Sequence, residues 1–297
     1  MKQAPSGVLV IDKPSGPTSH DVVLQVRRLT RTKVGHTGTL DPLATGVLPL
    51  LLGQATRLMR FFQPADKEYL AEVKLGQSTD TLDREGRIVA ESPVPSLTDE
   101  ECRQVLRRLT GAIVQRAPLF SAVRVRGERL YQAARKGQTR ERPLRQVRIL
   151  DLELLSRKED RWTLRVHCSA GTYIRSLAED IGILLECGAH VHTLRRLRSG
   201  CFDLARAVAP GRLAENWDKA FHPLEALLPE FPAVEVGSRW ANQIQHGRAI
   251  PHPDRIDAET VRLLFKGRLV AIGERHGDLI HPVLVFPSKT SPRAGNS

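Results

Sequence analysis

Apolar positions recur with two different periods along the chain, and the changes of period predict its elements. Gly7 to Ile11 (GVLVI) and Val47 to Leu52 are continuous apolar runs of strand length. Lys67 to Leu75 alternates instead, with Tyr69, Ala71, Val73 and Leu75 on one side, as in a half-buried strand. Val147 to Leu155 and Trp162 to Cys168 read as two paired strands. Helical segments lie between them. Thr18 or Ser19 can cap a helix running through Val22, Val23, Val26 and Leu29. Gln54 to Phe62 reads as a short helix. Thr98-x-x-Glu101 is a capping-box signature that opens a helix through Leu106 and Leu109 to Gly111. Thr172 to Cys187 is a strong amphipathic helix, with Ile174, Leu177, Ile181 and Leu184/Leu185 inward.

After Arg206 the chain gains proline and loses periodicity. A smaller unit follows. Trp240 to His246 reads as a short helix, Leu263 to Phe265 and Leu269 to Ile272 as a hairpin around Lys266-Gly267-Arg268, and Ile280 to Phe286 as a closing strand. Scattered strands and helices predict an α+β fold with a mixed, largely antiparallel central sheet and flanking helices, plus a small β-rich C-terminal domain. The expected division is 1–230, 231–288 and a disordered tail at 289–297, with a basic insertion at about 120–148.

Length and charge narrow this picture. With 297 residues the chain suits one large domain, or one large domain plus a small one. The net charge is +12, and the basic residues are mostly arginine, 35 against 10 lysines. Such an excess favours a polyanionic partner, although a GC-rich genome also raises arginine use. Position sharpens it. Residues 124–148 hold nine basic and two acidic side chains, Arg195, Arg196 and Arg198 form a second cluster, and residues 234–297 add nine basic against six acidic. No apolar run approaches the ~18 residues of a membrane span. The start has no signal or transit pattern, so a cytoplasmic location is expected.

The common enzyme signatures are missing: there is no phosphate loop, dinucleotide fingerprint, nucleophile elbow or zinc-protease motif. Cys187, His190, His192 and Cys201 fit no usual zinc spacing, so no metal is expected. The most unusual segment is Gly35 to Gly46, a loop of glycines and small hydroxyl residues with one acid, Asp41, held extended by Pro42. Taken alone, Asp41 reads better as a structural Asx-type turn than as a reactive carboxylate.

The wider pattern decides between these readings. GHTGTLDPLATGVLPLLLGQATRLM, at residues 35–59, resembles the catalytic motif of the tRNA pseudouridine-55 synthases, the TruB family. DKPSGPTSHDVVLQVRR (12–28), KEYLAEVKLGQSTDTLD (67–83) and CSAGTYIRSLAEDIG (168–182) resemble its other motifs, in order. FSAVRVRGERLYQAARKG (120–137) and HTLRRLRSGCF (192–202) also look like family segments. The end of the chain resembles a PUA RNA-binding module more weakly.

The resemblance implies a pseudouridine synthase fold and a role for particular residues. Asp41 would be the essential catalytic carboxylate, acting as a nucleophile at ribose C1′ or uracil C6 or as a base on the 2′ proton. Tyr69 would pack against the target base and is a catalytic candidate for proton transfer at C5, and Arg175 would pair with Asp41. His36 would replace the flipped base in the RNA stack, and Leu194 would line the uracil pocket. Gly35, Thr37, Thr18, Ser19 and Tyr173, carried by the same motifs, and Arg124, Arg135 and Arg145 of the basic segment complete the substrate-binding candidates. Arg124 stands where the family more often has lysine.

The implied reaction is redox-neutral and needs no cofactor. The implied partner is tRNA, gripped at its T loop and elbow, with the acceptor stem as the analogous contact of the C-terminal module. The basic segment would be a loop that closes on the RNA. The chain is expected to act as a monomer, without membrane or obligate protein partner. Two alternatives stay open from sequence: a guide-RNA-dependent relative, and an RNA-binding or RNA-folding protein on the same scaffold.

Overall fold

The computed structural model describes residues 5–121, 123–125, 127–130, 141–252 and 257–287. β1 (Gly7–Lys13) turns into α1 (Ser19–Thr30), where Thr18 and Asp21 form a reciprocal capping box. β2 (Val34–His36) leads through the glycine-rich loop into β3 (Thr45–Leu52). A 3-10 turn, Gly53–Leu58, continues as α2 (Met59–Phe62). Then come β4 (Lys67–Leu75), the hairpin β5 (Gln77–Thr79) and β6 (Ile88–Glu91), α3 (Asp99–Arg108) and β7 (Gly111–Arg116). The small pair β8 (Arg124–Val125) and β9 (Glu128–Arg129) precedes the long hairpin of β10 (Leu144–Lys158) and β11 (Arg161–Cys168). α4 (Ile174–Leu184), β12 (Ala189–Ser199), β13 (Phe202–Asp203), α5 (Trp217–Ala220) and β14 (Phe221–Pro223) complete the larger part.

Apart from the separate pairs β5-β6 and β8-β9, these strands make one sheet in the order β14-β1-β3-β12-β4-β11-β10-β7, with β2 beside β3 and β13 beside β12. Every pairing in it is antiparallel except β3 with β12. The burial of each strand explains its sequence pattern. One face carries Leu9, Ile11, Leu48, Leu50, Ala71, Val73 and Val166 under α1, α3 and α4. On the other face, Val8, Val10, Val47 and Leu51 pack with Phe62, Phe202 and Leu227, and with Leu269, Ile272 and Phe286 from the C-terminal end. β1 and β3 are therefore buried on both faces and read as unbroken apolar runs. β4 is covered on one face and alternates.

Several strands have no counterpart in the hydrophobic pattern, β12 and β7 among them. β12 lies at the centre of the sheet, but irregularities at Val191/Thr193 and Arg196/Arg198 break its alternation. β7 is a short edge strand in which Ala112, Val114 and Arg116 are exposed while Gln115 is buried. The helix expected over 172–187 is shorter, because Thr172 turns its hydroxyl to the Ser169 carbonyl, 2.9 Å away. At its other end the N–H groups of Cys187 and Gly188 both donate to the Gly182 carbonyl at 3.1 Å.

β15 (Ala233–Glu235), α6 (Ser238–Gln245), β16 (Ile250–Pro251), β17 (Thr260–Phe265), β18 (Arg268–His276) and β19 (Leu279–Val285) form the C-terminal unit. Its sheet has the order β15-β17-β18-β19-β16. Lys266 and Gly267 both take positive φ, 51° and 69°, at the predicted hairpin turn. The expected tail at 289–297 lies outside the described residues. No described helix is long and apolar enough to cross a membrane.

Candidate active site

The loop between β2 and β3 is clamped on both sides of Asp41. Ser19, at the start of α1, is buried; its Oγ donates to the Leu40 carbonyl at 2.9 Å and accepts the Leu40 N–H at 2.8 Å. Beyond Asp41, the Pro42 carbonyl accepts from the Gly16 N–H at 2.9 Å and from Lys13 Nζ at 3.1 Å. Lys13 also donates to the Ala44 and Pro14 carbonyls, each at 2.8 Å, so all three of its protons are used. Leu40 and Leu43 anchor the loop in the core. Burial pushes the Lys13 ammonium down to about 8, with the Asp41 charge opposing that fall.

Arg196 corrects the expectation of a second basic cluster. Its side chain is fully buried, with Nε donating to the Val47 carbonyl at 2.7 Å, Nη2 to Gly38 at 3.1 Å and Nη1 to Thr39 at 3.4 Å. It is a strut under the loop and out of reach of a phosphate. Its backbone is packed against Gly46, where a Cβ would lie 2.1 Å from the Arg196 carbonyl oxygen and φ is +100°. Arg195 and Arg198 lie nearer the surface, paired with Asp12 at 2.8 Å and Glu68 at 3.2 Å.

Arg175 approaches Asp41 from the first turn of α4. Its Nε is 2.9 Å from Asp41 Oδ2, and the pair is graded in exposure, 5% for the arginine side chain and 32% for the aspartate. The rest of the guanidinium is held from behind. Nη1 donates to the Thr81 carbonyl at 2.9 Å and to Asp83 Oδ2 at 3.3 Å, and Nη2 donates to the Phe120 carbonyl at 3.0 Å. Asp83 is itself buried, accepting from Thr81 Oγ1 at 2.6 Å and the Glu85 N–H at 3.1 Å. Arg175 is thus fixed by three partners other than Asp41, and Asp41 holds the exposed end of the chain of charges.

Tyr69 is buried on β4 in the same core as Leu40, Leu43 and Leu194. Burial raises its hydroxyl above the ordinary tyrosine range, and the Asp41 charge adds to the rise while Arg196 opposes it. His36 ends β2; burial pushes its imidazole down, and its buried Nδ1 has no hydrogen-bond partner among the described residues. Tyr173 is the N-cap of α4, with its backbone N–H and carbonyl bonded to the Gln115 side chain at 3.0 and 3.3 Å.

The other candidates divide. Thr18 spends its hydroxyl on the capping box and Ser19 on Leu40, so Ser19 braces the loop and is not open to a ligand. Thr37 is buried with its N–H on the Pro49 carbonyl at 3.2 Å, and Gly35 lies in β2 beside Met59. Arg145 is exposed on β10. Arg124 lies in β8, its side chain outside the described residues, as is all of Arg135. Arg142, counted in the basic segment, is already paired with Glu179 at 2.6 Å. Among the described residues no group of three or more His, Cys, Asp or Glu could hold a metal ion.

Lys13, Asp83 and Arg196 were not singled out from sequence as parts of this site. Asp83 closes the segment 67–83, and Lys13 is the second residue of the segment 12–28. Their segments are legible, but the loop they support is not a neighbour in sequence.

The family model described as TruB family pseudouridylate synthase (N terminal domain) matches residues 26–174, and that of the tRNA pseudouridylate synthase B C-terminal domain matches 175–229. A tRNA pseudouridine synthase B of Azoarcus sp. (strain BH72) is 44% identical over 290 residues, covering 96% of each chain. That of Solibacter usitatus (strain Ellin6076) is also 44% identical, over 94% of this chain and 99% of the relative. Among solved structures, an H/ACA RNP bound to a substrate RNA containing 2'-deoxyuridine superposes with a TM-score of 0.71 at 27% identity, covering 96% of this chain and 86% of the other. A Cbf5-Nop10-Gar1 complex gives 0.71 at 30% identity, over 95% and 85%. With family models matching residues 26–229 and relatives 44% identical over nearly the whole chain, the chain belongs to the TruB family of pseudouridylate synthases.

Proposed function

We propose that the chain converts the uridine at position 55 of tRNA, in the T loop, to pseudouridine, with Asp41 as the catalytic residue. The observation that carries this reading is the Arg175–Asp41 pair: a carboxylate held at 2.9 Å by an arginine that is itself locked from behind. The relatives that are similar over nearly the whole chain are named for action on tRNA.

The reaction is an isomerisation. The C1′–N1 bond of the nucleotide breaks, uracil turns, and a C1′–C5 bond forms; the C5 proton leaves and N1 gains one. No electrons enter or leave. A preorganised carboxylate suits each stage, since it can attack carbon or take a proton. Uridine stacked in a loop must leave the stack to reach Asp41, and in this reading His36, at the end of β2, fills the gap it leaves. Tyr69, kept neutral by burial, forms a wall for the flipped base. The C-terminal sheet extends the RNA-facing surface toward the acceptor stem, and the chain works as a monomer in the cytoplasm.

The test is to treat an unmodified tRNA transcript with the purified chain alone and map pseudouridine. Product at position 55 from the chain by itself supports the proposal and rejects a guide-dependent relative. Asp41→Asn should give no product while retaining tRNA binding. Full turnover by Asp41→Asn would reject the assignment.

A further inference from the structure

Arg175 and Glu179 are both on α4, four residues and about one turn apart, so they project from one face of the helix. Glu179 is taken by the fork of Arg142, with Nη1 on Oε1 at 2.8 Å and Nη2 on Oε2 at 2.6 Å. Both side chains are largely buried, 21% and 23% exposed. Arg142 has two further bonds, Nε to the Ala117 carbonyl at 2.8 Å and Nη2 to the Arg116 carbonyl at 3.3 Å. The Arg116 carbonyl also accepts from Ser176 Oγ, the neighbour of Arg175, at 2.6 Å. Three residues beyond Ala117 is the Phe120 carbonyl, which receives Arg175 Nη2 at 3.0 Å. The strip 115–120 is therefore laced to α4 through Gln115, Ser176, Arg142 and Arg175.

We propose that Arg142 is a positioning residue for pseudouridine formation, fixing the 116–120 strip against α4 so that the Phe120 carbonyl and α4 together hold Arg175 on Asp41. The inference rests on the reading of Asp41 and Arg175 as the reaction centre. It makes Arg142 different from its basic neighbours. An arginine that contacts RNA needs its donors free, whereas the donors of Arg142 are committed to a carboxylate and two carbonyls. Lysine in its place supplies a compact charge with three protons and no fork, and so cannot reproduce the four bonds to the two Glu179 oxygens and the two carbonyls.

The experiment compares Arg142→Lys, Glu179→Gln and the double variant with the parent, measuring kcat and KM for tRNA together with thermal unfolding. Small misplacements of catalytic groups are expected to cost about ten-fold in kcat, with KM within about two-fold of the parent. The double variant should lose no more than the worse single one, because the two residues act as one clasp. Glu179→Gln keeps volume and an acceptor, so it carries the test if Arg142→Lys fails to fold. A rise in KM at unchanged kcat would make Arg142 an RNA contact and overturn the proposal. A lower melting point at unchanged kcat would make the clasp structural only, and would overturn it equally. Asp41→Asn in the same assay separates the two levels: its inactivity beside unimpaired clasp variants rejects the role of Arg142 alone, while its full turnover rejects the reading of the site and this inference with it.

Discussion

Arg175 Nε stands 2.9 Å from Asp41 Oδ2, joining α4 to a loop that lies far away in sequence. The rest of its guanidinium faces Asp83, Thr81 and Phe120. One planar fork therefore orients one reactive carboxylate while using a second, buried one as its own support. A fork is needed because Asp41, Asp83, Thr81 and Phe120 are four separate acceptors, one more than the three protons of an ammonium can meet.

Arg175→Lys should therefore lower kcat by about a hundred-fold or more, with little change in tRNA affinity. Asp83→Asn should lower it less, because Thr81 and Phe120 still hold the guanidinium. Single-turnover rates at saturating enzyme separate chemistry from binding. Equal losses in the two variants would mean that Asp83, and not the Asp41 contact, controls the orientation.

Gly46→Ala tests the parallel contact of β3 with β12. The new Cβ would meet the Arg196 carbonyl oxygen at 2.1 Å, on a backbone with φ of +100°. The loss should be at least about 3 kcal/mol, from overpacking and a strained backbone together. Thermal unfolding reads it, and a melting point within a few degrees of the parent would show that the strands can part at little cost.

Arg145 and Arg148 are exposed on β10, beyond the committed Arg142. If they meet phosphate, each alanine substitution should weaken tRNA binding and reduce the slope of log affinity against log salt by about one. Binding measured across several salt concentrations checks this. An unchanged slope would make that face a solvated one.

Asp180, next to Glu179 on α4, has its carboxyl pushed up to about 6, mainly by burial and then by the Glu179 charge, with Arg142 opposing. Between its ordinary 3.8 and about 6 the folded protein binds this proton more tightly than the unfolded chain. Stability from this group is therefore highest below 3.8, falls as pH rises, and reaches its full penalty above about 6. Asp180→Asn should melt above the parent at pH ~7.5, by at most about 3 kcal/mol before solvent screening of this partly exposed group reduces it, and the difference should vanish near pH ~3.5. Melting curves at the two pH values decide it; a constant difference would trace the effect to something other than this ionisation.

Much of the scaffold was legible from neighbours in sequence. Thr18 with Asp21 and Thr98 with Glu101 start helices because a cap needs only a partner three residues away. β1, β3 and β4 announce themselves because burial on two faces or one writes a run or an alternation into a few consecutive residues. Asp41 was marked by its motif and by its place before proline. Tertiary structure alone decided what the arginines do. Arg196 reads as one more cation among Arg195 and Arg198, and becomes a buried strut because the Val47 and Gly38 carbonyls, 149 and 158 residues away, take its donors. Arg142 reads as part of an RNA-gripping run, and is committed by Glu179, 37 residues on. A charge is the same in sequence whether it faces solvent or a row of carbonyls. Only the fold supplies the acceptors, because burying an arginine is tolerable only where partners from distant strands meet it.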